Sequence, residues 1–182
     1  MRAHPFAIIV SGSDPAPIAT HLPFHLKMEG DEIILTAHFA KANPQWKNLA
    51  EVLVIFSGPH AYISPQHYEQ EQNVPTWNYI AVHAYGTAVI VKEENEGISI
   101  LEELIQQSEP AFLTQWERLS TDYKNRLYKG IVPFRIRVTR IDAKEKLSQN
   151  KKPEERMQII AALHQDADAA ARDLAGHMEA RE

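Results

Sequence analysis

The segment Val54–Pro65, VIFSGPHAYISP, constrains the fold of this chain more than any other part of its sequence. A run of β-branched and aromatic residues is broken by Gly58-Pro59, resumes as a short apolar stretch and stops at Pro65. β-branched and aromatic residues favour strands, whereas Gly-Pro and single prolines mark turns and strand ends. The segment therefore predicts two strands around a break. Val52 to Ser57 is apolar on both faces, as in a buried barrel strand.

Further strands are predicted along the rest of the chain from their apolar runs or alternating patterns. Phe134, Ile136 and Val138 alternate with polar residues, which is the period of a half-buried strand. A turn is expected at Gly12–Pro15. The strands Ala19 to Lys27 and Glu32 to His38 are predicted to form a hairpin around residues 28–31. The other predicted strands are Phe6 to Ser11 and Tyr79 to Lys92, the second with a bend at Gly86.

Helices are predicted at the edges of this β-rich pattern. Asn43-Pro44 suits a short helix start, because Asn caps free N–H groups and Pro fits the first turn. The remaining predicted helices are one built on Ile100, Leu101, Leu104 and Ile105 and closed by Pro110, one from Thr121 to Lys129, and Ala-rich helices from Pro153 onward. We expect an α+β, mainly β protein: an antiparallel barrel domain at 1–150 and a helical extension at 151–182.

Composition narrows the class of protein. The chain has 182 residues, 44% of them hydrophobic and 24% charged, which fits a folded domain with a full core. No apolar run approaches the ~20 residues that span a bilayer, and the first residues lack the order of a signal peptide, so we expect a cytoplasmic protein. With no cysteine, disulfides and thiolate sites are excluded. A net charge of −5 argues against direct DNA binding.

The sequence gives little support for a metal site or for a catalytic nucleophile. His21 and His25 would share a helix face, but Pro23 lies between them and the pattern is strand-like. On a strand they would stand roughly 13 Å apart, too far to chelate one ion. No metal site is therefore expected. The sequence also lacks a nucleophile elbow, a P-loop and a dinucleotide fingerprint, so no catalytic residue is assigned.

Three polar segments could hold a phosphate or a ring system. Lys41 and the capped helix start at Asn43 would favour an anion, although a plain well-capped connector fits equally well. Trp77-Asn78 could contact a ring system through the flat indole and the Asn78 amide. The alternative is a tryptophan in the core next to an asparagine in a turn. Residues 146–150, KLSQN, join a cation, a hydroxyl and two amides, either as a clamp or as a helix-capping loop.

Taken together, segments spread over most of the chain resemble the PaiB-like family of FMN-binding negative transcriptional regulators. The resemblance is carried by HLPF at 21–24, AHFAKANPQW at 37–46, VIFSGPHAYISP at 54–65, VPTWNY at 74–79, GIVPF at 130–134 and KLSQN at 146–150. It implies an FMN-binding split β-barrel that works as a homodimer, with the flavin nucleotide at the subunit interface. Members of the family usually begin with a further segment ahead of the strand at His4-Pro5-Phe6. If that segment contributes to the interface, a chain that starts without it would retain its cofactor less well.

The resemblance also implies cofactor-binding residues, to which we assign roles. The phosphate would lie near Lys41, Lys146 and Ser148, and the ring near Thr20 and Trp77. The polar edges would face His38, Asn78 and Gln149. The full set is Thr20, His21, Leu22, His38, Lys41, Asn43, Trp77, Asn78, Lys146, Ser148, Gln149 and Asn150.

The function that the resemblance implies is a flavin-binding sensor in negative transcriptional regulation. Two alternatives stay open. One is a flavin-dependent oxidoreductase whose regulatory role is indirect. The other is a haem-binding split-barrel protein, since some split-barrel relatives bind haem and the chain has nine histidines.

Overall fold

The computed structural model describes residues 1–12, 15–69 and 71–181. Within them the strands are β1 Phe6–Ser11, β2 Ile18–Pro23, β3 His25–Glu29, β4 Glu32–Ala40, β5 Glu51–Ile63, β6 Thr76–Ile90 and β7 Ile131–Lys146. The α-helices are α1 Glu94–Ser108, α2 Leu113–Arg118, α3 Thr121–Tyr128, α4 Pro153–His164 and α5 Ala169–Glu179. The turn expected at Gly12–Pro15 includes Ser13 and Asp14, which lie outside the described residues.

The chain divides into two compact units. The barrel unit comprises residues 1–56 and 83–142, and the helical unit comprises residues 57–82 and 143–182. Strands β5, β6 and β7 each contribute residues to both units. The segment 151–182, expected as a helical extension, lies in one unit with residues 57–82 and 143–150.

In the barrel unit, the order of the strands requires the sheet to curl. The order is β2-β1-β5-β6-β7-β4-β3, so the two outer strands, β2 and β3, are neighbours in sequence. Only Phe24 separates them, and the two ends of the sheet must therefore come together there. The antiparallel split-barrel fold is confirmed. A single strand over 19–27 is wrong, because the chain leaves one edge of the sheet at Pro23 and joins the other at His25.

Aromatic rings fill the core of the barrel unit. Phe24 is almost fully buried and lies edge-on to Phe56, at 5.9 Å between ring centroids, and to Phe134, at 6.1 Å. Phe39 stacks on Phe134 at 4.8 Å. The residue at the corner between β2 and β3 is therefore also a central core residue, which fixes where the sheet closes.

Strand β5 runs without a break from Glu51 to Ile63, so the interruption predicted at Gly58-Pro59 is wrong. Gly58 allows a close approach to β6, because a Cβ built there would lie 3.1 Å from Ile80. The end of the strand is as predicted: the Ser64 side chain accepts a hydrogen bond from the Gln66 N–H and caps a short 3-10 turn. The predicted hairpin after β3 also forms, with Gly30 at φ 60°.

Three helices pack on the barrel unit. Helix α1 buries Ile100 and Leu104 in a small cluster with Val91. Helices α1 and α3 agree with the predicted ones. Helix α2, six residues long, was not predicted, because such a short segment offers little periodicity; it nevertheless buries Trp116.

The helical unit has its own core. The predicted C-terminal helices form as α4 and α5, and Asp168 caps α5 by accepting from the Ala170 N–H at 2.9 Å. None of the described helices combines the length and apolar character needed to cross a membrane. The buried cluster joins the two helices to the neighbouring strands and loops through Ala61, Ile63, Tyr68, Leu147, Ile159, Ile160, Leu163, Ala171, Leu174, Ala175 and Met178.

Candidate functional site

The helical unit contains a polar pocket of about 230 Å³ at the end of β7. It is formed by the loop after β7, the first residues of β6 and the loop that precedes β6. Its lining residues are mainly cationic, amide or hydroxyl side chains: Tyr68, Asn73, Val74, Thr76, Asn78, Lys146, Ser148, Gln149, Asn150 and Lys151. We call it the Lys146 pocket.

The loop after β7 is held by its own side chains. Gln149 accepts from the Leu147 N–H at 2.8 Å and donates to the Glu145 carbonyl at 2.7 Å, so both ends of its amide are used within the loop. Ser148 takes a left-handed conformation, with φ 56°. Such a conformation is uncommon for serine and persists only where the surroundings enforce it.

Asn78 holds Ser148 from the opposite side. The Asn78 amide is 0% exposed, and its Nδ2 lies 2.9 Å from the Ser148 hydroxyl. The same hydroxyl lies 3.2 Å from Asn78 Oδ1. The structure thus brings Asn78 and Ser148 together, with Asn78 as a buried support for the pocket wall.

Two ammonium groups line the pocket. Lys146 Nζ contacts the Thr76 hydroxyl and donates to the Trp77 carbonyl at 2.8 Å. Lys151 Nζ donates to Asn73 at 2.9 Å and lies 3.7 Å from the centre of the Tyr68 ring. In the described part of the chain, neither lysine forms a salt bridge with a carboxylate. The pocket therefore offers positive charge that is held in place but not neutralised, which suits an anion such as a phosphate.

An aromatic surface lies on strands β5 and β6 of the same unit. Trp77 is 55% exposed, and its ring lies 5.9 Å from that of Tyr62 and 6.2 Å from that of His60. Tyr62 is 52% exposed. Large aromatic rings that remain exposed on a sheet provide a surface for stacking against another ring or a second protein.

Two other predicted residues, Thr20 and Asn43, meet in the barrel unit. Asn43 donates to the Thr20 hydroxyl at 2.9 Å, and that hydroxyl donates to Gln45 Oε1 at 2.6 Å. The predicted helix start is a five-residue 3-10 turn, and Asn43 already accepts the Gln45 N–H. The Gln45 N–H is therefore already used and is not free to bind a phosphate. This group fits a structural connector centred on the fully buried Gln45.

The remaining predicted residues are dispersed over the barrel unit. His21 is exposed on β2 and stacks on Phe6 at 5.8 Å, while Leu22 beside it is half-buried. Lys41 is exposed, and its carbonyl accepts from the Trp46 indole at 3.0 Å. His38 lies under the helices of the barrel unit and lines a different cavity.

Sequence reasoning missed several residues of the Lys146 pocket. Lys151 directly follows the predicted segment 146–150, and its position there is the signal that could have found it. Thr76 precedes Trp77 in the same way. Tyr68 and Asn73 lie in a loop whose polar composition gave no sign that it would fold back onto β7.

Comparisons with known proteins identify relatives of this chain. Residues 1–140 match the family model described as "Putative FMN-binding domain". The chain is 39% identical to "Protease synthase and sporulation protein PAI 2" of Bacillus subtilis (strain 168), over 98% of this chain and 88% of that protein.

Two solved structures share the fold. The flavocytochrome Anf3 from Azotobacter vinelandii superposes with a TM-score of 0.63 at 18% identity, covering 85% of this chain and 68% of that one. The FAD and heme binding protein from Mycobacterium smegmatis gives a TM-score of 0.63 at 15% identity, covering 86% and 72%. The family match, the relative from B. subtilis and the split-barrel fold confirm the predicted family and its cofactor, and this chain belongs to the FMN-binding split-barrel family of the PaiB type.

Proposed function

We propose that this protein binds FMN with the 5′-phosphate in the Lys146 pocket and acts as a flavin-binding sensor in negative transcriptional regulation. The observation that carries the proposal is the convergence of Lys146, Lys151 and Ser148 on one small pocket, with no carboxylate among the described residues that line it. The residues fit the group: two cations and a hydroxyl match a doubly charged phosphate monoester. FMN would supply redox chemistry to the protein when bound.

The same pocket favours FMN over FAD. Its volume of about 230 Å³ suits a terminal phosphate, and the sequence has no dinucleotide fingerprint for a pyrophosphate. A phosphate monoester also carries close to two negative charges at neutral pH, whereas each phosphate of a pyrophosphate diester carries one. Two positioned lysines therefore bind a phosphate monoester more strongly than either phosphate of a pyrophosphate.

Changing Lys146 to methionine is expected to weaken FMN binding about 10- to 100-fold, the usual worth of a hydrogen bond to a charged group. Methionine keeps much of the length of the side chain but loses the charge. Flavin fluorescence titration of the cofactor-free protein measures the dissociation constant. Lys144→Met is the matched control, because Lys144 is an exposed lysine on the same strand and does not line the pocket.

Unchanged affinity in Lys146→Met would exclude the Lys146 pocket as the phosphate site. In that case the anion site predicted at Lys41 and Asn43 becomes the candidate, and Lys41→Met tests it in the same titration. A thermal melt of each variant without FMN separates loss of binding from loss of folding, which matters because Lys146 also contacts Thr76 and Trp77.

A homodimer is expected in solution. The exposed rings of Tyr62 and Trp77 form an apolar surface that a second copy of the chain would cover, as closed two-fold dimers commonly do. Light scattering after size exclusion should give twice the 20.7 kDa of one chain. A monomer mass at micromolar protein concentration would contradict the expected dimer.

We expect no direct, sequence-specific DNA binding by this chain alone. The arginines of β7 are already paired: Arg135 with Glu96, Arg137 with Glu32 at 3.5 Å, and Arg140 with Asp142 at 3.4 Å. Paired arginines add little to the release of counterions that drives binding to DNA. A gel shift at physiological salt that shows nanomolar affinity, resistant to competitor DNA, would contradict this expectation.

One spectrum and one assay separate the sensor from its alternatives. The absorbance of protein purified without added cofactor distinguishes flavin from haem. Steady consumption of NAD(P)H by the flavin-loaded protein would favour an oxidoreductase with an indirect regulatory role. A flavin spectrum without such turnover supports the sensor, whose regulatory effect would then run through a partner or the state of the flavin.

A further inference from the structure

The barrel unit contains a second cavity, of about 390 Å³, between its outer face and the helices α1 to α3. It shares no residue with the Lys146 pocket. Most of its walls are apolar, including Leu104, Phe112, Trp116 and Ile131. A cavity of this size and character is typical of sites for small organic molecules.

The helices fix the aromatic side chain of one cavity wall, but they leave the cavity open to solvent on the side of α3. The Trp116 indole N–H donates to Glu102 Oε1 at 2.9 Å, which fixes the orientation of that ring. On the side of α3, Leu127 lines the cavity yet remains 43% exposed. An apolar molecule in the cavity would cover surface that the protein itself leaves in water.

His38 is the polar feature of the wall that lacks a partner. Its neighbours Ala37 and Phe39 point into the barrel core, so His38 lies on the outer face of β4, beneath the helices. Its Nδ1 is buried and has no hydrogen-bond partner among the described residues. Burial lowers the pKa of His38 below its ordinary value of 6.5, so the imidazole is neutral at pH 7. A neutral imidazole has one N–H donor and one acceptor nitrogen, and a ligand oxygen in the cavity can bond either of them.

The charge around the cavity disfavours an anion. Helix α1 ends at Ser108, so the negative end of its dipole is directed here, and the Glu109 carboxylate follows it. No lysine or arginine lines the cavity in the described part of the chain. The phosphate of FMN would therefore find no counter-charge in it.

We propose that this cavity binds an uncharged aromatic molecule that carries one hydroxyl or carbonyl oxygen. The ring lies against the apolar walls, and the oxygen forms a hydrogen bond with the His38 imidazole. Such a site goes beyond flavin binding, because it gives the protein a place for a second, chemically different small molecule.

Titration of the flavin-loaded protein with 1-naphthol and with naphthalene tests the proposal. Both probes have the same ring system, and only 1-naphthol carries the oxygen. In calorimetry, His38→Leu is expected to weaken 1-naphthol binding about tenfold, the worth of one hydrogen bond, while the affinity for naphthalene changes less than twofold. Equal losses for both probes would overturn the role of His38.

A blocking variant tests the location independently. Leu127→Trp should fill the mouth of the cavity and reduce the affinity for both probes at least tenfold, with the affinity for FMN unchanged. Tyr123→Trp is the matched control, because Tyr123 is exposed on the same helix and does not line the cavity. The proposal is wrong if the wild-type protein binds neither probe, if Leu127→Trp binds both normally, or if 1-naphthol releases the bound FMN stoichiometrically.

Discussion

Replacing Gly86 with alanine is expected to lower the free energy of unfolding by about 3 kcal/mol or more, at the upper end of overpacking effects. A Cβ at this position would lie 2.1 Å from the carbonyl oxygen of Arg137 and 2.8 Å from Ile136 Cγ2. The first of these atoms belongs to the backbone of β7, so no side-chain rotation relieves the overlap and the strands must separate. Urea unfolding followed by circular dichroism measures the loss.

Gly176→Ala is the control for that experiment. Gly176 lies inside helix α5, and a Cβ there meets nothing within 4 Å. Because alanine is the better helix former, this variant should gain about 0.5–1 kcal/mol. If Gly86→Ala and Gly176→Ala change the free energy of unfolding by the same amount, the close approach of β6 and β7 does not require a glycine at position 86.

Replacing Gln45 with leucine is expected to cost about 3 kcal/mol, since buried polar partners would lose their hydrogen bonds. The Gln45 side chain is fully buried. Its Nε2 lies within hydrogen-bonding distance of the Ile9 carbonyl at 3.2 Å, the Ser11 hydroxyl at 3.2 Å and the Ile18 carbonyl at 3.0 Å. Leucine has a similar volume and offers none of these donors. The urea midpoint should fall with an unchanged slope.

The control for this second prediction is Gln106→Leu. Gln106 is exposed on helix α1, where such a change alters stability by no more than about 0.5 kcal/mol. A loss below about 1 kcal/mol in Gln45→Leu would show that the buried amide is not the central support of the connector between β4 and β5.

Local patterns were sufficient to predict most of the elements. The strand Phe6–Ser11 agrees with its predicted bounds, because an apolar run is a local signal. Helix α3 agrees to within one residue, and in the structure the Ser120 side chain caps its start. The break at Gly58-Pro59 was a local inference that failed. Whether a Gly-Pro pair interrupts a strand depends on what packs beside it, here Ile80 of β6.

The division of residues 18–29 into two strands at opposite ends of the sheet could not be read from sequence. Both halves have the composition of strands, and only the partner of each half, β1 for one and β4 for the other, separates them. Partners distant in sequence leave no local pattern.

The candidate site shows the same limit. The segment 146–150 and Trp77-Asn78 were identified by residue type, and the structure joins them through Asn78 and Ser148. Their roles were harder to assign, because residue type does not reveal which partners a side chain bonds: both ends of the Gln149 amide are used within its own loop. The dense bonding around Gln45 was missed because a glutamine in a connector looks like an ordinary surface residue.

The strand pairing has a consequence for synthesis on the ribosome. Strand β3 can pair with β4 as soon as both have emerged, but β4 finds its other partner only at β7, where Ala40 pairs with Ile131. Until then one edge of β4 presents unpaired backbone groups, and such edges are templates for aggregation. Contacts this distant in sequence also slow folding. Nascent chains that stop before β7 should therefore depend on chaperones, and the complete chain should acquire its protease resistance late in translation.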